Sequence, residues 1–325
     1  MAPPEFTATP TPGPAEIRAG SLRAWRVAVR PRSLMVALSP VLVGAAFGYA
    51  RTGRIDAVAA ALVLAAALLM QVVTNLQNDV GYTVRGGERS GTRTGLPRAS
   101  ANGWLGIGQL RAGIGVAALV ATALGVALVA WRGWPVLAIG SASLLAALAY
   151  MGGPKPIAYT PFGELTVFVF FGLVAVTGTD WVLTGSVGAA SGLAAVAIGG
   201  LAAAALAVNN HRDIAHDRSV GRRTFAVLAG AAGSQRLFGV LLLGPFALLP
   251  PMAVLAHAPT LLLPLALLPA AWRLRRDFIA CPPGLAFNGV LFRSFRLELA
   301  YAGLLSAGAV VAPWLAALGT RGSGA

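Results

Sequence analysis

Long apolar runs alternate along the chain with short stretches where arginine, asparagine and aspartate collect. A helix needs about 20 mostly apolar residues to cross a bilayer. Runs of that kind fall near 34–50, 57–77, 111–131, 134–151, 163–180, 187–209, 235–256, 259–272 and 297–317. The pattern predicts an all-α, polytopic membrane protein with about nine transmembrane helices. The eighth run is short and holds Pro259, Pro264 and Pro269, each of which removes a helical hydrogen bond. Residues 1–17, rich in Pro and Thr without an apolar run, read as a disordered tail. Residues 18–319 read as a single transmembrane domain and 320–325 as a C-terminal tail.

Composition sharpens this picture. Of 325 residues, 57% are hydrophobic and 11% charged, more apolar surface than one soluble core can hide, which excludes an ordinary soluble enzyme. The net charge of +14 suits either nucleic acid or the cytoplasmic loops of a membrane protein. Because the basic residues are spread over five membrane-flanking segments, no nucleic-acid partner is expected and the lipid bilayer is. With the N-terminus inside, 21 of the 25 Lys and Arg residues fall on the cytoplasmic side, leaving Arg51, Arg54, Arg132 and Arg321 opposite. That asymmetry places the N-terminus inside and the C-terminus outside, with a bacterial inner membrane as the expected location. Trp104, Trp131, Trp134 and Trp181 lie near predicted span ends, as an interfacial belt would. One cysteine and three scattered histidines give no disulfide and no zinc-ligand spacing.

Two polar motifs interrupt the apolar pattern. Asn75-Leu-Gln-Asn78-Asp79-Val-Gly-Tyr82-Thr-Val-Arg85 closes the second span, and Asn209-Asn210-His211-Arg212-Asp213-Ile-Ala-His216-Asp217 closes the sixth. In each, an Asn precedes an Asp by four residues, a spacing that stacks side chains on one helical face. Carboxylates at a membrane are costly unless functional. Asn and Asp oxygens suit a hard cation, and Mg2+ takes one or two carboxylates plus phosphate oxygens. Asn75, Asn78, Asp79, Asn209, Asp213 and Asp217 are therefore the candidate metal ligands, and a diphosphate the candidate ligand of the metal. Arg85, Lys155, Arg212 and Arg222 stand nearby in sequence to take remaining phosphate oxygens. The Gly/Pro-dense segment from Tyr150 to Tyr159 would place Lys155 and an aromatic ring over the same cavity; the plainer reading is a tight interhelical turn. The loop 86–95 is basic and glycine-rich but lacks the ending of a P-loop.

Together these residues resemble UbiA-type membrane prenyltransferases. The likeness rests on Asn75-x-x-Asn-Asp79, on Asn209-Asn-x-Arg-Asp213-x-x-x-Asp217-Arg-x-x-Gly221-x-x-Thr224, on Gly153-Pro-x-Pro-x-x-Tyr159-x-x-x-Gly163-Glu164 and on Arg30-Pro31-Arg-Ser-Leu34. It is strongest to the branch that acts on 1,4-dihydroxy-2-naphthoate in menaquinone synthesis. The resemblance implies a nine-helix bundle around a central cavity, Mg2+ as cofactor, and a polyprenyl diphosphate with an aromatic acceptor as substrates. Asp79, Asp213 and Asp217 would be the catalytic carboxylates. An allylic cation would alkylate the ring carbon that carries the carboxylate, with loss of carbon dioxide. One position departs from the family pattern: Tyr82 stands where a second aspartate of the first motif is usual. Glu88 or the second motif would then supply the charge, or one metal would be held more weakly, or activity would be changed; Tyr82 would otherwise face the aromatic substrate. Other acceptors (4-hydroxybenzoate, homogentisate, a tetrapyrrole) and a membrane transporter with duplicated halves are the competing readings.

Overall fold

The structure, a computed structural model, describes residues 17–87, 94–282 and 284–322. The expected tail over 1–16, the loop residues 88–93 with Glu88, Arg89 and Arg93, and residues 323–325 lie outside the described residues, as does the side chain of Arg321. Among the described residues there is no strand.

The helices are α1 (Leu22–Val29), α2 (Leu34–Thr52), α3 (Ala57–Val84), α4 (Ile107–Arg132) and α5 (Pro135–Met151), then α6 (Gly163–Val167) and α7 (Ala175–Thr184). They continue with α8 (Ala189–Arg212), α9 (Ile214–Ser219), α10 (Phe225–Ala247), α11 (Leu249–Leu255), α12 (Leu268–Ala280) and α13 (Phe287–Gly322). Polar caps explain several boundaries. The Asp56 side chain accepts from the Val58 and Ala59 amides at the start of α3, and Thr224 accepts from Val227 at the start of α10.

Seven stretches among the described residues are long and apolar enough to cross a membrane, so nine full-length crossings are not reached by this measure. Two of the expected spans are different objects. α5 has only 17 residues. The eighth run is a 3-10 segment, Pro259–Leu267, that passes into the arginine-bearing α12. Its prolines withhold the N–H donors that a continuous α-helix needs. Conversely, α13 starts at Phe287, ten residues before the predicted span, and takes Arg293 into its early turns, where it pairs with Asp277 of α12 at 2.5 Å.

The alanine-rich α8 is the most enclosed span. Its small side chains let neighbours approach closely. The π-helical turn Phe168–Val174, between α6 and α7, lies so near that a Cβ added at Gly172 would stand 2.5 Å from both Ala195 O and Gly199 Cα. At one end of the bundle Arg51 bridges α2 to Asp180 of α7 at 2.8 Å, and Trp131 of α4 donates to Asp56 at 2.6 Å. Trp134 is exposed as an interfacial ring would be, but Trp104 is buried against α1 and α3 residues, because the 94–106 segment folds back over them. The ends of α3, α5 and α8 meet the starts of α10 and α13 at the other end, where the polar motifs lie.

Candidate active site

A cavity of about 1120 Å³ opens among these helix ends and continues between apolar walls. Deep in it, Val63, Leu128, Ile139, Phe170, Phe171 and Val182 are lining residues. Phe170 and Phe171 belong to the π-helical turn, a geometry often found at functional sites. Among the described residues the polar wall carries seven arginines: Arg23, Arg26, Arg30, Arg32, Arg98, Arg212 and Arg222. Among the described lining residues only one, Asp213, is acidic.

From the first motif, Asn75, Asn78 and Tyr82 line the cavity, and Asp79 does not. A helix turns about 100° per residue, so a face shared by 75, 78 and 82 leaves 79 at its edge. The fully buried Asp79 carboxylate is engaged elsewhere: Oδ2 accepts from the Ala99 amide at 2.9 Å, and Oδ1 from the Ser100 amide at 3.0 Å and the Ser100 hydroxyl. It thereby holds the turn that delivers Arg98, whose guanidinium lies 3.8 Å over the Tyr82 ring and donates to Asn78 O at 2.8 Å. Asn75 donates to Val29 O and Ser33 Oγ, each at 2.8 Å, and so positions the turn between α1 and α2. That turn contains Arg30, a lining residue in the left-handed region at φ 55°. Such strained residues gather at functional sites.

From the second motif, Asn209, Asn210, Arg212 and Asp213 line the cavity. Arg212 donates to both oxygens of Asp213, at 2.9 and 2.7 Å, and to Asn288 of α13 at 2.7 Å. Asp213 joins α8 to α9 and its carbonyl accepts from the Asp217 amide at 2.7 Å, but Asp217 is not among the lining residues. Asp217 is fully buried and pairs with Arg222 at 2.6 Å. Arg222 also donates Nε to Ala158 O at 3.0 Å and Nη1 to the Tyr82 hydroxyl. Burial works against the Arg222 charge, but Tyr82 and Asp217 outweigh it and hold the guanidinium above its ordinary range.

The remaining predicted residues divide. Tyr150 lines the cavity. Tyr159 stands beside it, with the Arg85 and Arg222 guanidiniums 5.8 and 5.7 Å from its ring, and burial raises its phenol above the usual value. Arg85 ties the end of α3 to the turn after α5 by donating to Met151 O at 2.7 Å and Gly153 O at 2.5 Å. Lys155 is exposed and outside the cavity lining. Arg23, Arg26 and Arg98 are wall residues that the sequence does not single out, since lone arginines near a membrane carry no signal that separates a topological role from a ligand-binding one. Glu164, quoted in the family pattern, is buried and accepts from Asn210 at 2.9 Å, outside the lining.

For a divalent ion, this donor set is uneven. No group of three or more His, Cys, Asp or Glu side chains converges among the described residues. Both Asp213 oxygens accept from Arg212. Asp213, Asn78 and Asn209 share the cavity lining and by donor chemistry are the residues that would hold one Mg2+ completed by phosphate oxygens.

A family model for the UbiA prenyltransferase family matches residues 37–280. The chain is 33% identical over 230 residues to 1,4-dihydroxy-2-naphthoate octaprenyltransferase of Escherichia coli K12, covering 68% of this chain and 73% of that protein. It is 36% identical over 245 residues to the protein of the same name from Mycobacterium tuberculosis, covering 68% and 75%. In fold, a UbiA homolog from Aeropyrum pernix K1 superposes with a TM-score of 0.61 at 19% identity, over 86% of this chain and 97% of that one. A homolog from Archaeoglobus fulgidus, bound to DMAPP and Mg2+, gives a TM-score of 0.60 at 16% identity, over 87% and 99%. A cavity walled by arginines at one end and apolar side chains beyond, in an all-helical membrane protein with these relatives, leaves one assignment: the chain is a prenyltransferase and belongs to the UbiA family.

Proposed function

We propose that this enzyme transfers a polyprenyl chain from its diphosphate to 1,4-dihydroxy-2-naphthoate, with loss of carbon dioxide. The observation that carries the reading is the polarity of the cavity, with seven arginines against one aspartate among the described lining residues at its polar end and apolar walls beyond. Guanidinium groups bind phosphate oxygens in bidentate fashion, and the apolar wall suits an isoprenoid and excludes water. The names of the Escherichia coli and Mycobacterium tuberculosis relatives support the acceptor.

In this mechanism Arg30, Arg98, Arg212 and Arg222 draw negative charge onto the departing diphosphate as the allylic C–O bond breaks. Asp213, Asn209 and Asn78 would hold Mg2+, which would supply Lewis-acid stabilisation of the same leaving group when bound. The ring carbon bearing the acceptor carboxylate attacks the allylic cation. Breaking of its bond to that carboxylate returns the electron pair to the ring and releases carbon dioxide. Tyr82, Tyr150 and the nearby Tyr159 flank the polar end, where a naphthalene ring can stack. The apolar wall keeps water from quenching the cation.

The test is incubation of the purified protein with Mg2+, an allylic diphosphate and a panel of aromatic acids, read by mass spectrometry and carbon dioxide release. Prenylated, decarboxylated naphthoquinol is the expected product. Consumption of 4-hydroxybenzoate or homogentisate in its place would overturn the acceptor assignment.

A further inference from the structure

The contacts of Arg222 go beyond those of an ordinary phosphate-binding arginine. Its guanidinium joins three segments at the cavity wall: Tyr82 at the end of α3, Ala158 in the turn after α5, and Asp217 of α9. Tyr82 is itself held between two cations, with Arg98 3.8 Å and Arg222 5.0 Å from its ring. Arg222 and Tyr82 both line the cavity, while Asp217 stands behind them, fully buried. A buried ion pair adds little net stability, because desolvating both charges cancels much of their attraction. Here the pair fixes the guanidinium in place at the cavity wall, between the first motif and the second.

The carboxylates tell the same story from the other side. Asp79 is committed to the Ala99 and Ser100 amides, and Asp217 to Arg222. Only Asp213 reaches the cavity among the described acidic residues. A second divalent ion would need further anionic ligands to offset its charge, and none faces it from these motifs. Arg222 stands between the two motifs instead, bonded to Tyr82 of the first and Asp217 of the second.

We propose that Arg222, clamped by Tyr82 and Asp217, is a built-in cation of the diphosphate subsite, so that this protein binds its diphosphate with a single divalent ion. The proposal rests on the diphosphate reading of the cavity given above. Arg222 is the ligand-contacting group; Tyr82 and Asp217 are positioning residues. The phenol oxygen and the carboxylate hold Nη1 and the Ala158 carbonyl holds Nε, so the guanidinium of this lining residue is fixed with Nη2 not used in these bonds.

Equilibrium dialysis of the full-length protein in detergent, against Mn2+ and inorganic pyrophosphate, counts the ions directly. One magnetically isolated Mn2+ per chain, seen by electron paramagnetic resonance, is expected; two, or none, overturns the proposal. This count needs no variant. Arg222→Gln should weaken pyrophosphate binding at saturating Mn2+ by at least about tenfold, the scale of one charge-assisted contact, and Arg222→Lys should restore most of it. Tyr82→Phe, which keeps the ring under Arg98 and removes the phenol oxygen, should weaken it about threefold with the ion count unchanged. Unaltered pyrophosphate affinity in a folded Arg222→Gln, or in Tyr82→Phe should Arg222→Gln not fold, would make the clamp a structural ion pair only and reject the proposal. Failure of the acceptor assay with a single Mn2+ and Arg222-dependent binding would remove the functional reading and leave the clamp. Product formation with two bound ions would do the reverse.

Discussion

Replacing Asp79 by Asn separates a metal ligand from a structural acceptor. In the structure this carboxylate is fully buried and takes three hydrogen bonds, from the Ala99 amide at 2.9 Å, the Ser100 amide at 3.0 Å and the Ser100 hydroxyl. Asparagine retains one oxygen, which can keep the two Ser100 bonds. Its NH2 group then faces the Ala99 N–H, donor against donor. One bond to a charged acceptor is lost, about 1.5–3 kcal/mol, and buried donors are left without acceptors at about 1–3 kcal/mol. The combined effect is a destabilisation of about 3–5 kcal/mol, measured by denaturant or thermal unfolding in detergent. The Mg2+ concentration for half-maximal rate, normalised to folded protein, should stay unchanged, because the carboxylate lies outside the cavity lining. Unchanged stability with a sharply raised Mg2+ requirement would refute this reasoning and return Asp79 to the metal site.

Asp213→Ala should cut turnover at least about a hundredfold, some 2.7 kcal/mol of transition-state stabilisation; near-normal activity in the folded variant would remove Asp213 from the mechanism. Gly172→Ala should destabilise the protein by about 1–3 kcal/mol through overpacking against Ala195 and Gly199, while Gly192→Ala on α8, where an added Cβ meets nothing within 4 Å, should be neutral or mildly stabilising in the same unfolding assay. A reporter fused after Ala325 should be active only outside the cytoplasm if the arginine asymmetry sets the orientation, and a cytoplasmic signal would reverse it. At Asp56, the Ala59 amide and the Trp131 indole hold the carboxyl below its ordinary value of 3.8. A lowered folded-state pKa contributes stability above the ordinary value and loses it as pH falls through the lowered one. Asp56→Ala should therefore be less stable than wild type at neutral pH and converge on it in acid below about 3.8; a difference that persists there would point to packing.

Hydropathy, which depends on each side chain's own transfer energy, located the apolar helices without any knowledge of their neighbours. α2, α3, α4, α8 and the Gly163–Thr184 span lie where the apolar runs stand. The motifs were legible for a related reason, since asparagine and aspartate beside a membrane are too costly to be incidental. Asn75, Asn78, Tyr82, Tyr150, Asn209, Arg212, Asp213 and Arg222 do meet around one cavity. Spacing along a single helix could not say which oxygens face inward. Asp79 was drawn away by two backbone amides 20 and 21 residues further on, and Asp217 by an arginine beyond the end of its own helix. Arg98 and Arg23 gained their places on the wall from turns and helix docking that leave no periodic trace. The broken eighth span shows the same division: its prolines announce that an α-helix will fail, but the 3-10 path taken in its place follows from how α13 packs against it, with Thr260 donating to Gly308 O at 2.6 Å. Local chemistry thus sets which residues are costly or apolar, whereas the direction of each polar side chain depends on partners that only chain folding brings within hydrogen-bonding distance.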